Sequence, residues 1–253
     1  MAGRAKLRDT VARENERSVE SMRAYWDERA RENAAWYVDT SLDFTAPDMV
    51  AFFDTGRLIV EEALHTDGAP APAGRGLAIE IGSGLGRVCK ALSGRFDRVV
   101  GVDVSAEMVG RAREVVDEAN VEFVLGDGSS LASLGDGEAD LVLSFTVFQH
   151  IPDVGVIHAY IGEAGRVLRG GGVFVFQWNN EPGALRWRLR RAALGVLQRT
   201  GIRPEERKRH DPAFLGSRVP LSRIERAATE AGLEIVHMKG LGSLYAWAWV
   251  VKR

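Results

Sequence analysis

Residues 78–87 read Ala-Ile-Glu-Ile-Gly-Ser-Gly-Leu-Gly-Arg, an apolar run that carries one acid and ends in glycines at 82, 84 and 86. A strand that ends in Gly-x-Gly and turns straight into a helix suits nucleotide binding. Without Cβ atoms the backbone approaches a ligand closely, and the helix N–H groups point at it. The strict spacing Gly-x-Gly-x-x-Gly is absent, because Gly86 comes one residue early and Arg87 follows it. Glu80, two residues before the first glycine, would meet a pyrophosphate badly and suits a ligand bearing positive charge. The plain alternative is a glycine turn that only joins a strand to a helix.

The next segments repeat the arrangement. Residues 98–103 form a short apolar run ending in Asp103, with Ser105 as N-cap of a helix that carries Val109, Ala112, Val116 and Ala119 at helical spacing. An acid at the carboxyl end of a second strand can accept hydrogen bonds from both ribose hydroxyls and repels a 2′-phosphate; it also reads as an ordinary acid at a helix N-terminus. Val121 to Leu125 is a third strand, followed by Gly126-Asp127-Gly128-Ser129, a turn that either faces an exocyclic amine or is simple punctuation. A fourth strand, Asp140 to Phe145, runs into Thr146-Val147-Phe148-Gln149-His150-Ile151-Pro152.

In this order the motifs resemble those of the class I S-adenosylmethionine-dependent methyltransferases, over roughly residues 75 to 253. The resemblance rests on Glu80 to Arg87, Asp103, Asp127 and Leu141 to Ile151. It implies S-adenosyl-L-methionine as cofactor. Gly82, Ser83 and Gly84 would then lie against the methionine part, with Glu80 near the ammonium, while Asp103 holds the ribose diol. Val104 and Met108 would flank the adenine, and the loop of Gly126, Asp127, Gly128 and Ser129 would face its amine. The carbonyl of Phe145 or Thr146 would accept from the ammonium. Arg87 would either pair with the cofactor carboxylate or stand solvated at the start of its helix. The fold implied is α/β, a doubly wound Rossmann-like seven-stranded sheet of order 3-2-1-4-5-7-6 with strand 7 antiparallel and an N-terminal helical lid.

Composition sets limits on this reading. The chain has 253 residues, 45% hydrophobic and 27% charged, which suits one large α/β domain with an appended segment. A net charge of −2 argues against a surface that tracks nucleic acid throughout. Cys89 has no partner cysteine, and the scattered histidines show no ligand spacing, so no metal site is expected. Residues 1–17 lack the apolar stretch of a signal peptide and no run approaches membrane-spanning length, so a cytoplasmic protein is expected. Oligomeric state is not encoded in any of these features.

Two helices are expected at 18–44 and 48–65, with a connector at 67–72, so that 1–72 forms a helical lid and substrate segment before a core over 73–253. Within the core, a helix at 156–169 precedes a strand at 172–178, and a helix at 221–231 precedes strands at 233–238 and 244–251, the last with Trp247 and Trp249 on one face. A basic insert over 179–220 (Arg186, Arg188, Arg190, Arg191, Arg199, Arg203, Arg207, Lys208 and Arg209) reads as a solvated face or as a binder of acidic substrate or RNA.

A small-molecule acceptor would lie among Tyr25, Trp26, Trp36 and Tyr37, whose alternative role is ordinary helix packing. His150 is the candidate base, or a residue that merely shapes the site, and Gln149 is placed to orient the acceptor. The segment Tyr25 to Ala30 is similar to the start of bacterial methyltransferases of specialised metabolism. Two other chemistries compete: cyclisation or other alkyl transfer from the same cofactor, and methylation of RNA.

Overall fold

The computed structural model describes residues 2–182 and 216–253, with side chains from residue 19 onward. The basic insert, from residue 183 to 215, lies outside the described residues, as does His210. Strands β1 (Leu77–Ile81), β2 (Arg98–Asp103), β3 (Val121–Leu125), β4 (Ala139–Ser144), β5 (Leu168–Trp178), β6 (Leu233–Lys239) and β7 (Ala246–Lys252) form one sheet. Their order is β3-β2-β1-β4-β5-β7-β6. The strands from β1 to β5 pair in parallel, and β7 runs antiparallel to both β5 and β6, as the family resemblance implies.

Period-two alternation sends successive residues to opposite faces of the sheet. Leu77, Ile79 and Ile81 of β1 join one core with Phe174, Phe176 and Trp178 of β5, closed by α5 (Val154–Val167) and α6 (Leu221–Glu230). Ala78 joins the opposite core with Val173, Val175, Trp247 and Trp249, closed by α2 (Met49–His65), α3 (Arg87–Ser93) and α4 (Ala106–Val115). The rings of Trp247 and Trp249 stack with centroids 5.4 Å apart. Glu80 has the parity of Ala78. Its carboxylate therefore points under α3.

Helix starts follow their caps. Ser105 accepts from the Met108 amide at α4, as its position predicts, and Asp48 and Asp153 do the same work at α2 and α5. α3 has no side-chain cap and begins instead after Gly86 in the left-handed region (φ 80°).

Three boundaries depart from the sequence reading, one of them at α4, which ends at Val115 with Val116 as its C-cap, so that Ala119 lies beyond it. The first helix, α1, spans Ala2–Val38 and stops before residue 44. Asp39 and Asp43 explain the stop: each accepts backbone N–H bonds from residues just beyond it, offering the chain turns in place of a further helical turn. Within α1, Asn33 leaves helical geometry (φ −165°, ψ 88°), and its side chain bonds the Trp36 amide and the Phe44 carbonyl. The third departure is at α5, which ends at Val167, so that β5 begins at Leu168. A register shift between Ala139 and Leu141 of β4 absorbs the glycines at 170–172. No described helix is long and apolar enough to cross a membrane.

Candidate active site

The parallel strands deliver their carboxyl ends to one cavity of about 1190 Å³, counting its open mouth. Its floor is the glycine turn. The amides of Gly82 and Ser83 bond the Val102 carbonyl at 2.7 and 3.2 Å, and the Gly84 amide donates to Asp103 Oδ2 at 2.8 Å, so the turn is tied to the end of β2. Gly82 and Gly84 have φ of 75° and 51°. A Cβ on Gly82 would run into Val147, and one on Gly84 would come within 2.8 Å of Val38. These two positions require glycine because the cavity wall closes directly over them.

Two carboxylates face this floor, Glu80 buried and Asp103 half-buried. Glu80 accepts from the Cys89 amide (3.1 Å) and thiol (2.9 Å) on α3. Burial pushes its pKa up to about 8, against the pull of Cys89 and Arg87. Asp103 takes the Gly84 and Ser105 amides, one on each oxygen, and burial still raises its pKa. Acids held in this way, with lone pairs left on their oxygens, fit a ligand that brings a cation and hydroxyl donors.

Arg87 is turned to the N-terminal helices. Its guanidinium bonds Asp39 at 2.6 Å, Thr55 at 2.9 Å and the Val38 carbonyl at 3.1 Å, between the rings of Phe52 and Phe145. Both partners are almost fully buried. Burial alone would raise Asp39, but the Ser41 hydroxyl and the Arg87 charge outweigh it and hold the carboxyl below its ordinary range. This pair was not visible in the sequence, where the two residues stand 48 positions apart.

Helix α1 crosses the ends of β2 and β3. Asp27 accepts from the Ser105 hydroxyl (2.6 Å) and the Glu107 amide (3.2 Å), adding a second cap to α4, and Arg23 reaches the carbonyls of Gly126 and Asp127. Met22, Trp26, Tyr37 and Val38 consequently border the cavity. Trp26 meets the His150 ring edge-on at 5.7 Å. Tyr37 accepts from Arg29 and donates to Glu32, and burial together with Glu32 pushes its pKa up to about 12.

Of the residues singled out by sequence, the cavity brings together Glu80, Gly82, Ser83, Gly84, Arg87, Asp103, Val104, Met108, Phe145, Thr146 and His150, with Trp26 and Tyr37. Tyr25, Trp36, Gln149 and the turn from Gly126 to Ser129 do not border it. Tyr25 packs edge-on against Trp26, Trp36 lies between Tyr37 and Phe44, and Gln149 is buried in the short helix Phe148–His150. The Asp127 carboxylate closes its own loop, accepting from the Ser129 and Ser130 amides and the Ser130 hydroxyl. Sequence reasoning missed Met22, Thr40, Tyr160 and Tyr245 in the wall. Met22 stands one helical turn before Trp26, a signal that was available; the others arrive through tertiary folding. Thr146 adopts φ 57°, a left-handed conformation costly for a β-branched residue, where the chain leaves β4 and enters the cavity wall.

Comparison with known proteins agrees with this fold. Residues 79–176 match the methyltransferase domain family. Over 130 residues the chain is 36% identical to a 37.1 kDa protein of a Streptomyces fradiae transposon, covering 51% of this chain and 36% of that one. It is 27% identical to a ubiquinone biosynthesis O-methyltransferase of Methylococcus capsulatus, covering 65% of this chain and 66% of the other. The chain thus spans about a third to two thirds of the length of these relatives. The fold is shared with magnesium protoporphyrin IX methyltransferase from Synechocystis with bound S-adenosylhomocysteine (TM-score 0.60, 18% identity, 93% of this chain and 100% of the other). Residues 79–176 are therefore a methyltransferase domain, and the sheet that carries them has the class I S-adenosylmethionine-dependent methyltransferase fold.

Proposed function

We propose that this chain transfers a methyl group from S-adenosylmethionine to a small molecule whose acceptor atom enters between Trp26, Phe145 and His150. The observation that carries this reading is the convergence, in one cavity, of Glu80, Asp103 and two closely walled glycines with an aromatic far side. S-adenosylmethionine, when bound, supplies a sulfonium-activated methyl group. Glu80 would hold its ammonium, Asp103 its ribose hydroxyls, and Gly82 to Gly84 would let its amino-acid arm lie on the backbone. Arg87 is engaged by Asp39 and serves to hold the lid.

The protein's remaining tasks are modest, because the leaving group arrives activated. It must position the acceptor in line and exclude water. Trp26, Tyr37, Phe145 and Tyr245 form apolar walls suited to a flat, weakly polar acceptor. His150 is the side chain in that half to which we assign the proton that a hydroxyl or phenol acceptor must lose. The name of the Methylococcus capsulatus relative, an O-methyltransferase of ubiquinone biosynthesis, supports an oxygen acceptor. We place the reaction in specialised biosynthesis in the cytoplasm on the strength of the segment Tyr25 to Ala30 and the composition.

Incubation with methyl-labelled cofactor tests the reading. S-adenosylhomocysteine should form only when an acceptor such as catechol or another small phenol is present, and His150→Ala should lower turnover while leaving cofactor affinity nearly unchanged. Methylthioadenosine released without any acceptor would replace methyl transfer by cyclisation.

A further inference from the structure

Tyr160 belongs to none of the sequence motifs, yet it borders the cavity. It lies within α5, 5% exposed, with its ring parallel to that of Phe148 (centroids 6.2 Å apart, 22° between planes). Met22 and Val147 pack against the same core and border the cavity beside it, together with Val104 and Ile151. The phenol feels the charges of Asp103 and Asp127, which places it at the ends of β2 and β3. Burial and those acids raise its pKa, so the hydroxyl stays neutral and able both to donate and to accept.

This hydroxyl has no evident structural use. Among the described residues it makes no hydrogen bond, although a buried tyrosine ordinarily finds a partner and a phenylalanine would fill the same space. The acid expected at this end, Asp127, is spent on its own loop. Tyr160 is thus a neutral polar side chain without a partner among the described residues, bordering the cavity that Asp103 also lines.

We propose that the Tyr160 hydroxyl reads the purine base of the adenosyl donor by a hydrogen bond, with Met22, Val104, Val147 and Ile151 enclosing the base. The inference rests on the donor assignment above. A purine edge offers ring nitrogens that accept and an exocyclic amine that donates, and a neutral phenol can serve either.

Tyr160→Phe keeps the ring and removes only the hydroxyl. Calorimetric titration should show the affinity falling about tenfold for S-adenosylhomocysteine and equally for methylthioadenosine, which lacks the amino-acid arm. The melting temperature of the free protein should stay within about 2 °C of wild type. Affinities within twofold of wild type overturn the proposal, as does a loss confined to S-adenosylhomocysteine, which would put the contact on the arm. If the variant melts well below wild type, the wild-type protein decides the matter with methylthioadenosine analogues that lack each ring nitrogen or the amine in turn. One analogue losing about tenfold supports the contact, and none doing so overturns it. Wild-type protein that binds neither nucleoside overturns the donor assignment itself, and this inference with it.

Discussion

A carboxyl group buried on the α3 side of β1 must lose either its charge or its isolation, and Glu80 in the ligand-free fold loses its charge. Its ordinary pKa is 4.5, and burial pushes it to about 8 in the fold. Between those values the folded chain binds a proton that the unfolded chain has released. The stability this group contributes is therefore full below about pH 4.5 and declines as pH rises towards about 8. A bound ammonium reverses the balance by favouring the carboxylate. At about pH 7, S-adenosylhomocysteine binding should expel up to one proton, seen as a binding enthalpy that varies with the ionisation enthalpy of the buffer. The variation should fade above about pH 9 and vanish in Glu80→Gln. A buffer-independent enthalpy in the wild type would remove Glu80 from the ammonium site. Glu80 and Asp103 were legible in the sequence because each sits at the end of an apolar strand beside a turn, a purely local signal. Tyr160 and Asp39 carry no such signal, since one is an ordinary residue of an amphipathic helix and the other reaches the site only through a partner in a distant helix.

At the level of elements, several polar bonds fasten the N-terminal helices to the core, among them Arg23 to the Gly126 and Asp127 carbonyls and Arg31 to Glu107. Asp27 of α1 caps α4, and Arg87 of α3 is clamped by Asp39, which follows α1, and Thr55 of α2. Removing one partner of a buried ion pair strands the other, a loss far larger than the pair's net worth. Asp39→Asn should lower the unfolding free energy by about 3 kcal/mol, measured by urea denaturation. A loss below about 0.5 kcal/mol, the level of an exposed pair, would mean that the Asp39–Arg87 pair does not fasten these helices. The strands were readable because β1, β2 and β4 are apolar runs of strand length closed by turns, and because Trp247 and Trp249 alternate with small residues along β7, whereas their order came from the family resemblance. The end of α1 was misread because aromatic spacing continues to Phe44, while the chain obeys the turn-forming side chains of Asp39 and Asp43 instead. The α5 to β5 junction was misread for a related reason: glycines at 170–172 look like a break between elements, but they lie inside the strand, where the ladder passes over them at a register shift.

Across the whole molecule, the cavity is assembled from segments far apart in the chain: α1 with residues up to Thr40, the glycine turn, the end of β2, the segment after β4, α5, and Tyr245 ahead of β7. A ligand filling it contacts all of them at once, so it binds the native arrangement and not the unfolded chain. Stabilisation then follows from mass action alone, about 2.7 kcal/mol at a hundred times Kd. In a chain of this size each kcal/mol moves the melting temperature by about 2–4 °C. S-adenosylhomocysteine at that concentration should therefore raise the melting temperature by about 5–10 °C. If the N-terminal helices and the sheet unfold as one body, a single transition should shift. NAD at equal concentration should leave it in place, because its pyrophosphate would have to lie on a floor flanked by Glu80 and Asp103. A shift with NAD would mean that the acids do not select the ligand's charge. Two transitions, with only the later one moved by S-adenosylhomocysteine, would show that α1 melts away from a core that holds the nucleoside without it, against the placement of Met22 and Trp26 in the cavity wall.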